Sequence, residues 1–132
     1  MSAMTLVEQL ARYLAHRLGL AFERDVFFGY MPDQPVRAIG VYAGDLRPAG
    51  DIEGTRVEVA VRSDLDAAWA MEQAVAIMGL LDGLKDVMFT PEGSYIHRVE
   101  AGKGFEFTGV EDGNVQYYTT WFRVYGCGEG CA

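Results

Sequence analysis

Apolar and polar residues change their spacing within the stretch from Arg56 to Gly83, and the change predicts a strand that leads into a helix. Val57, Val59 and Val61 alternate with a set of residues that includes Arg56, Glu58 and Arg62, which is the spacing of a half-buried strand. The residues that follow repeat at steps of three and four instead. We therefore expect the valines to face a core on which the helix packs.

The helix in this stretch is predicted to begin after Ser63 and Asp64, whose side-chain oxygens can accept hydrogen bonds from the first free amides of a helix. Apolar residues then recur with the spacing of one helix face. These residues are Ala67, Met71, Ala74, Val75, Met78 and Leu81. We expect this stripe to be the side that the helix turns towards the core of its own subunit.

The segment from Thr5 to Leu18 is predicted to be an amphipathic helix that ends at Gly19. Its predicted buried residues are Leu6, Leu10, Tyr13, Leu14 and Leu18, with Val7 and Ala11 beside them. Its water-facing residues are predicted to be Glu8, Gln9, Arg12, His16 and Arg17. This pattern differs from that of a signal peptide, and no run of about 18 apolar residues predicts a membrane span.

The remaining predicted strands lie on both sides of the central stretch. They are residues 25–30, 36–43, 87–89, 94–100, 104–110 and 115–126, of which 94–100 and 104–110 form either a strand pair or one strand with a turn. The order predicts an α+β domain: a mostly antiparallel sheet of four to six strands with two helices packed on one face. We expect residues 1–126 to form this single domain and residues 127–132 to form a flexible tail rich in Gly and Cys.

The last predicted strand, residues 115–126, consists almost entirely of β-branched and aromatic residues. One face carries Tyr118, Thr120, Phe122 and Val124, and the other carries Tyr117, Thr119, Trp121, Arg123 and Tyr125. Both faces are bulky, so we expect a loop or another subunit to cover the second one. Tyr117, Trp121, Arg123 and Tyr125 are therefore candidate interface residues, since interfaces favour Tyr, Trp and Arg.

A long loop, Gly44–Gly54, is predicted between the second and third strands because it combines glycine, proline and charged residues. Leu46 and Ile52 are apolar within this polar segment. Single exposed apolar residues are common, but a loop that docks on a neighbouring molecule would use them. Leu46, Arg47 and Ile52 are the second set of candidate interface residues.

The chain is acidic: its 132 residues include 19 Asp and Glu against 11 Lys and Arg, which gives a formal net charge of −8. Proteins that bind nucleic acids normally present a basic stripe to the phosphates, and none is visible here. Direct binding of DNA or RNA is therefore disfavoured. An acidic surface past which DNA slides without adhering remains compatible with this charge.

Paired carboxylates could bind a cation or transfer protons, but simpler roles account for them here. Asp64 and Asp66 stand at a predicted helix N-terminus, where free amides and the helix dipole favour acidic residues. Glu111 and Asp112 belong to a predicted turn. The glycine-rich sequence GKGFEFTG lies between strands and opens no helix, so it does not match a nucleotide-binding fingerprint.

Cys127 and Cys131 form a C-x3-C pair in the tail. The pair could close a small disulfide or supply half of a zinc site, but zinc would need two more ligands and both histidines are distant in sequence. The simpler interpretation is a tail whose thiols have no role in the domain. We therefore predict no catalytic, cofactor-binding or metal-binding residues, and no enzymatic activity.

Taken in order, these elements resemble the tail terminator family of long-tailed bacteriophages, whose members are also known as minor capsid or tail completion proteins. The similarity extends over about residues 5–126. It lies in the segments TLVEQLARYLAHRLGL, PDQPVRAIGVYAG, VEVAVRSDLDAAWAMEQAVAIMGLLDG, SYIHRVE and GNVQYYTTWFRVYG. The CGEGC tail is not part of the pattern.

The resemblance implies a structural subunit of the virion, assembled in the cytoplasm of the bacterial host. Six copies would form a ring that caps the tail tube, ends its elongation and joins the tail to the head. The implied partners are further copies of this chain, the tail tube protein and a head-completion or connector protein. DNA would pass through the lumen without specific binding, and neither a cofactor nor a membrane is implied.

Two alternatives remain at this point. The chain could be another neck subunit or a tail-tube-like ring subunit of the same virion, with different partners. It could also be a small-molecule-binding or enzymatic α+β domain with its site under the Gly44–Gly54 loop. A ring subunit should associate with itself or with tail tubes, whereas a small-molecule site requires a deep pocket with converging polar groups.

Overall fold

Two helices and seven strands are present in the computed structural model, which describes residues 5–44, 54–111 and 115–126. The elements are α1 (Leu6–Leu18), β1 (Val26–Phe28), β2 (Ala38–Ala43), β3 (Thr55–Ser63), α2 (Ala67–Leu81), β4 (Lys85–Met88), β5 (Tyr95–Ala101), β6 (Glu106–Glu111) and β7 (Val115–Gly126). The predicted α+β class is confirmed. The described ranges contain seven strands where four to six were expected.

The strands form one mixed sheet in the order β1-β2-β3-β7-β5-β4, and β6 pairs with β7 beside this path. The pairing of β1 with β2 is parallel, and all other pairings are antiparallel. β3 and β7 form the centre of the sheet. Their long antiparallel pairing brings residues that are about sixty positions apart into direct register.

β5 and β6 lie end to end along the same edge of β7. Ala101 is opposite Phe122 and Glu106 is opposite Thr119, while β3 occupies the other edge of β7. The two segments therefore act as one strand interrupted at residues 102–105. Of the two predicted arrangements, a strand pair or one strand with a turn, the structure shows the second. Within the described ranges no strand pairs with the outer edge of β6.

Both helices pack on one face of the sheet, as predicted. The shared core contains alternate residues of β2, β3 and β7 together with one side of each helix. Its largest fully buried side chains include Leu10, Leu14, Ile39, Val59, Ile77 and Phe122. The period-two pattern predicted for the third and last strands is therefore confirmed, since the valines of β3 and the Phe122 side of β7 face the helices.

The predicted buried side of α2 is wrong for most of its residues. The buried residues are Ala70, Ile77 and Leu81, of which only Leu81 belongs to the predicted stripe. Met71 and Val75 are 61% and 73% exposed. The helix is apolar on nearly all sides, so its pattern could not indicate which side contacts the sheet.

The start of α2 also differs from the prediction. Asp66, rather than Ser63 or Asp64, is the N-cap, and its Oδ1 accepts a hydrogen bond from the Ala68 amide at 3.1 Å. Asp64 instead accepts from the Asp66 amide at 3.2 Å, and the Ser63 hydroxyl donates to the Asp66 carbonyl at 3.1 Å. The two predicted residues therefore hold the capping residue in place.

The helix α1 follows its prediction except at Gln9. The helix ends at Gly19 in the left-handed conformation (φ 70°), and His16 is exposed as predicted. Gln9 was expected to face water but is only 3% exposed, and its Oε1 accepts a hydrogen bond from the Ser94 amide at 2.9 Å. The amide side chain thus ties α1 to the segment between β4 and β5.

Candidate assembly surfaces

The first candidate surface is the sheet face opposite the helices, which we call the arginine–aromatic face. It is formed by Arg56, Arg98, Tyr117, Trp121, Arg123 and Tyr125. The face contains all four candidate residues that were predicted in the last strand. Each of these four is partly buried, because neighbouring side chains of the sheet already cover part of it.

Trp121 lies at the centre of this face between two arginines. The guanidinium carbon of Arg56 is 4.8 Å from the indole centroid, and that of Arg123 is 5.9 Å away. Arg56 also pairs with Glu58 at 3.4 Å. Cation–π contacts of this kind fix the orientation of an aromatic ring while leaving part of it exposed to a partner.

Tyr125 is held in a similar way at the neighbouring position. The guanidinium carbon of Arg98 is 4.2 Å from the Tyr125 ring centroid, and the Tyr125 hydroxyl donates to Glu100 at 3.3 Å. Arg98 and Glu100 pair at 3.1 Å. Since β5 supplies both charged residues, the sheet order assembles this cluster from segments that are separated by about 25 positions in the chain.

The arginine–aromatic face is locally basic in an acidic chain. Among the described residues it presents three arginines, and Glu58 and Glu100 pair with two of them. The composition of the last strand predicts Arg123 as an interface residue but does not predict Arg56 and Arg98. Charged residues alternate with apolar ones in the strands that carry Arg56 and Arg98. The sequence does not show that both strands pair with the last strand, so it does not place these arginines on its face.

One end of this face is covered by the turn between β1 and β2. Arg62, which is opposite Tyr117 in the sheet, is 5% exposed and donates hydrogen bonds to the carbonyls of Val36 (2.9 Å), Pro35 (2.8 Å) and Pro32. A buried guanidinium with three carbonyl acceptors is well satisfied. The loop covering expected for this face is thus present at the Tyr117 end.

The candidate residues Leu46, Arg47 and Ile52 lie outside the described residues. The two ends of their segment are defined: the Gly44 amide donates to the Arg56 carbonyl at 2.8 Å, and the Gly54 carbonyl accepts from Arg123 Nη1 at 3.2 Å. The segment therefore leaves and re-enters the sheet beside the arginine–aromatic face.

The second candidate surface, which we call the apolar groove, lies between α2 and β6 on the helix side of the sheet. It is an open cavity of about 460 Å³ lined by Met71, Ala74, Val75, Met78, Phe105, Phe107 and Tyr118. Phe107 is 55% exposed and contacts Tyr118, with 5.5 Å between the ring centroids. The sequence pattern does not predict this surface, because the spacing of the helix residues indicates that they face the core.

The chemistry of the groove is that of apolar contact. No lining residue is charged, and the only polar side-chain atom is the Tyr118 hydroxyl, which donates to Gln116 at 3.0 Å. Within the described ranges, no group of three or more His, Cys, Asp and Glu side chains is arranged to hold a metal ion. None of the described helices combines the length and apolar character needed to cross a membrane.

A small polar cluster lies on β4 and β5. The Tyr95 hydroxyl donates to Asp86, which raises the pKa of Tyr95 above its ordinary value, and His97 Nδ1 lies 4.0 Å from the same carboxylate. All three side chains are exposed. β4, which carries Asp86, is the edge strand at this end of the sheet path.

The architecture that carries these surfaces is shared with a solved structure. The chain is similar to a chain from the "Virion of native gene transfer agent (GTA) particle", with a TM-score of 0.60 and 19% sequence identity. The alignment covers 91% of this chain and 92% of the other. At 19% identity, this similarity shows that the two chains share a fold.

The family follows from the sequence itself. The model of a family described as bacteriophage tail terminator protein matches residues 13–101, and the chain therefore belongs to this family of phage tail structural proteins. The match runs from α1 to the end of β5, whereas most residues of the arginine–aromatic face and part of the apolar groove lie beyond it. Among curated proteins, none matches the sequence significantly.

Proposed function

We propose that the chain assembles into a ring, hexameric as its family resemblance implies, which caps the tail tube of a phage, ends its elongation and joins the tail to the head. The observation that carries this proposal is the family match over residues 13–101. The two candidate surfaces support it, because exposed apolar patches and clustered Trp, Tyr and Arg are typical of protein interfaces.

The proposed partners are further copies of this chain, the tail tube protein and a head-completion or connector protein. The protein acts in the virion after assembly in the host cytoplasm, and it has a structural rather than an enzymatic role. DNA passes through the lumen of the ring without specific binding, consistent with a net charge of −8.

The arginine–aromatic face is a proposed contact surface within this assembly. Trp121 and Tyr125 are large side chains whose orientation is fixed by neighbouring arginines before any partner arrives. Contacts fixed in advance cost less entropy on association. Tyr117 and Arg123 extend the surface, and Leu46, Arg47 and Ile52 add a second contact from the adjacent loop.

The direct test is assembly with tail tubes. The purified protein, mixed with tail tube protein, is expected to form rings at tube ends, and tails that assemble without it should have uncontrolled lengths in electron micrographs. A protein that stays monomeric and never joins tubes would contradict the proposal. Rings that join another virion component instead would indicate the alternative neck or tail-tube-like subunit.

A second candidate function, the binding of a small apolar molecule, is favoured by one observation: the volume of the apolar groove. About 460 Å³ lies within the range of roughly 300–1,000 Å³ typical of ligand pockets. The groove lacks converging polar groups, so its chemistry offers little selectivity for one ligand. Saturable binding of an apolar dye to the free protein that persists in assembled rings would support this alternative.

A further inference from the structure

The apolar groove is incomplete as a surface of a single subunit. Met71 and Val75 on α2 and Phe107 on β6 are each more than half exposed. The outer edge of β6 adjoins these side chains and, within the described ranges, pairs with no strand. An apolar groove beside an open strand edge is suited to an extended segment with apolar side chains, since the edge can supply backbone hydrogen bonds.

Three of the four segments outside the described ranges are joined to described residues that lie far from the groove. Residues 127–132 follow Gly126, which lies opposite Ile96 at the far end of β7. Residues 1–4 precede α1, which Gln9 ties to Ser94 near the same end. Residues 112–114 connect β6 to β7, and their sequence, DGN, contains no apolar side chain.

The attachment points of segment 45–53, Gly44 and Gly54, are also at the far end. Gly54 precedes Thr55, which lies opposite Val124, whereas the groove residue Tyr118 lies opposite Val61. Seven residues along β3 separate Gly54 from Val61, a distance of about 23 Å. Leu46 is two residues from Gly44 and Ile52 is two residues from Gly54, about 7 Å at full extension, so neither side chain can return to the groove of its own subunit.

We propose that the apolar groove receives segment 45–53 of a second copy of this chain, with Leu46 and Ile52 as the inserted side chains. This inference rests on the proposed ring function. The residues to which the segment is attached and the groove lie at opposite ends of β3, so the proposed contact is head-to-tail. A head-to-tail contact generates a closed ring when the rotation between neighbours closes, and a C2 dimer does not arise from it.

Engineered disulfides test which residues meet. On a background of Cys127→Ser and Cys131→Ser, a variant with Ile52→Cys and Val75→Cys is mixed with tail tubes and oxidised. We expect a ladder of covalent oligomers on a non-reducing gel, because each subunit then carries both halves of the contact. The matched control pairs Ile52→Cys with Met88→Cys, an apolar residue on β4 that is 44% exposed, and should give no ladder.

Complementation of two defective variants is the second test. Val75→Asp disables the groove, and Leu46→Asp with Ile52→Asp disables the segment. Neither variant should form rings alone. Mixed together they retain one intact contact, so a heterodimer is expected by native mass spectrometry, and circular dichroism should confirm that both variants are folded.

The outcomes separate this inference from the ring function. If either defective variant forms rings normally, the groove contact is wrong but the ring function stands. The same holds if the Ile52→Cys, Val75→Cys variant forms rings but gives no disulfide ladder. A ladder of equal strength in the Met88→Cys control would also overturn it. A wild-type chain that forms no rings with tail tubes would overturn both proposals.

Discussion

Gly102 lies flat against the indole ring of Trp121. A Cβ atom at position 102 would come within 2.1 Å of Cε2 and Cζ2 of the ring, and the Gly102 amide donates to the Trp121 carbonyl at 2.9 Å. This close approach occurs where the chain leaves β5 and before it resumes as β6. The absence of a side chain at this point allows Trp121 to keep its position between Arg56 and Arg123 on the arginine–aromatic face.

We expect Gly102→Ala to destabilise the protein by about 1–3 kcal/mol, the usual cost of forcing an extra methyl group into a packed site. Denaturant unfolding should show this loss when Gly102→Ala is introduced into the wild-type protein. When it is introduced into the Trp121→Ala variant, where the clash is absent, the loss should be less than about 0.5 kcal/mol. Gly104→Ala is the matched control, because a Cβ there would meet no atom within 4 Å. Equal losses in both backgrounds would contradict the contact.

Gln9→Leu is expected to destabilise the protein by about 1–3 kcal/mol, because the Ser94 amide would lose its acceptor in a buried site. Thermal and denaturant unfolding measure this change. His16→Leu on the exposed side of the same helix should change the free energy of unfolding by less than about 0.5 kcal/mol. If the two variants are equally stable, Gln9 does not tie α1 to the β4–β5 segment.

Asp66→Ala should cost about 1 kcal/mol because α2 would lose its N-cap. Asp66→Asn distinguishes the effect of the capping hydrogen bond from that of the negative charge, since an asparagine oxygen can still accept the hydrogen bond from the Ala68 amide. The Asn variant is therefore expected to retain most of the stability in denaturant unfolding. A loss in the Asn variant as large as in the Ala variant would instead assign the effect to the ion pair of Asp66 with Arg37.

Asp25 makes a small, pH-dependent contribution to stability. The hydrogen bond from Arg24 and that from the Ala21 amide hold the pKa of Asp25 below its ordinary value of 3.8, against the opposing effect of partial burial. The charged form is favoured in the folded state, so the contribution is fully present above about pH 3.8 and disappears as the pH falls through the lowered folded-state pKa.

Comparison of the wild type with Asp25→Asn across pH tests this assignment. The wild type should be slightly more stable at neutral pH, and the difference in the free energy of unfolding should vanish in acid, where the protonated aspartate resembles asparagine. The exposed Arg24 keeps the difference small, because solvent screens the pair. A difference that is constant with pH, or that grows in acid, would contradict it.

The sequence by itself determined those helices and strands whose spacing of apolar residues fits only one type of secondary structure. The four-residue spacing in α1, the alternating valines of β3 and the bulky run of β7 each fit one period, and all three predictions are confirmed. The same order of elements led to the tail terminator family, which the match over residues 13–101 supports. Local patterns succeed here because burial on one face repeats with the geometry of the element.

The tertiary structure alone decided the features that depend on distant partners. In α2 almost every side is apolar, so only contact with the sheet determines that Ala70 and Ile77 are buried and that Met71 and Val75 line a groove. The burial of Gln9 likewise depends on an amide 85 positions away. Sheet pairing brings together chain segments far apart in sequence, and the local pattern of neither segment encodes its partner.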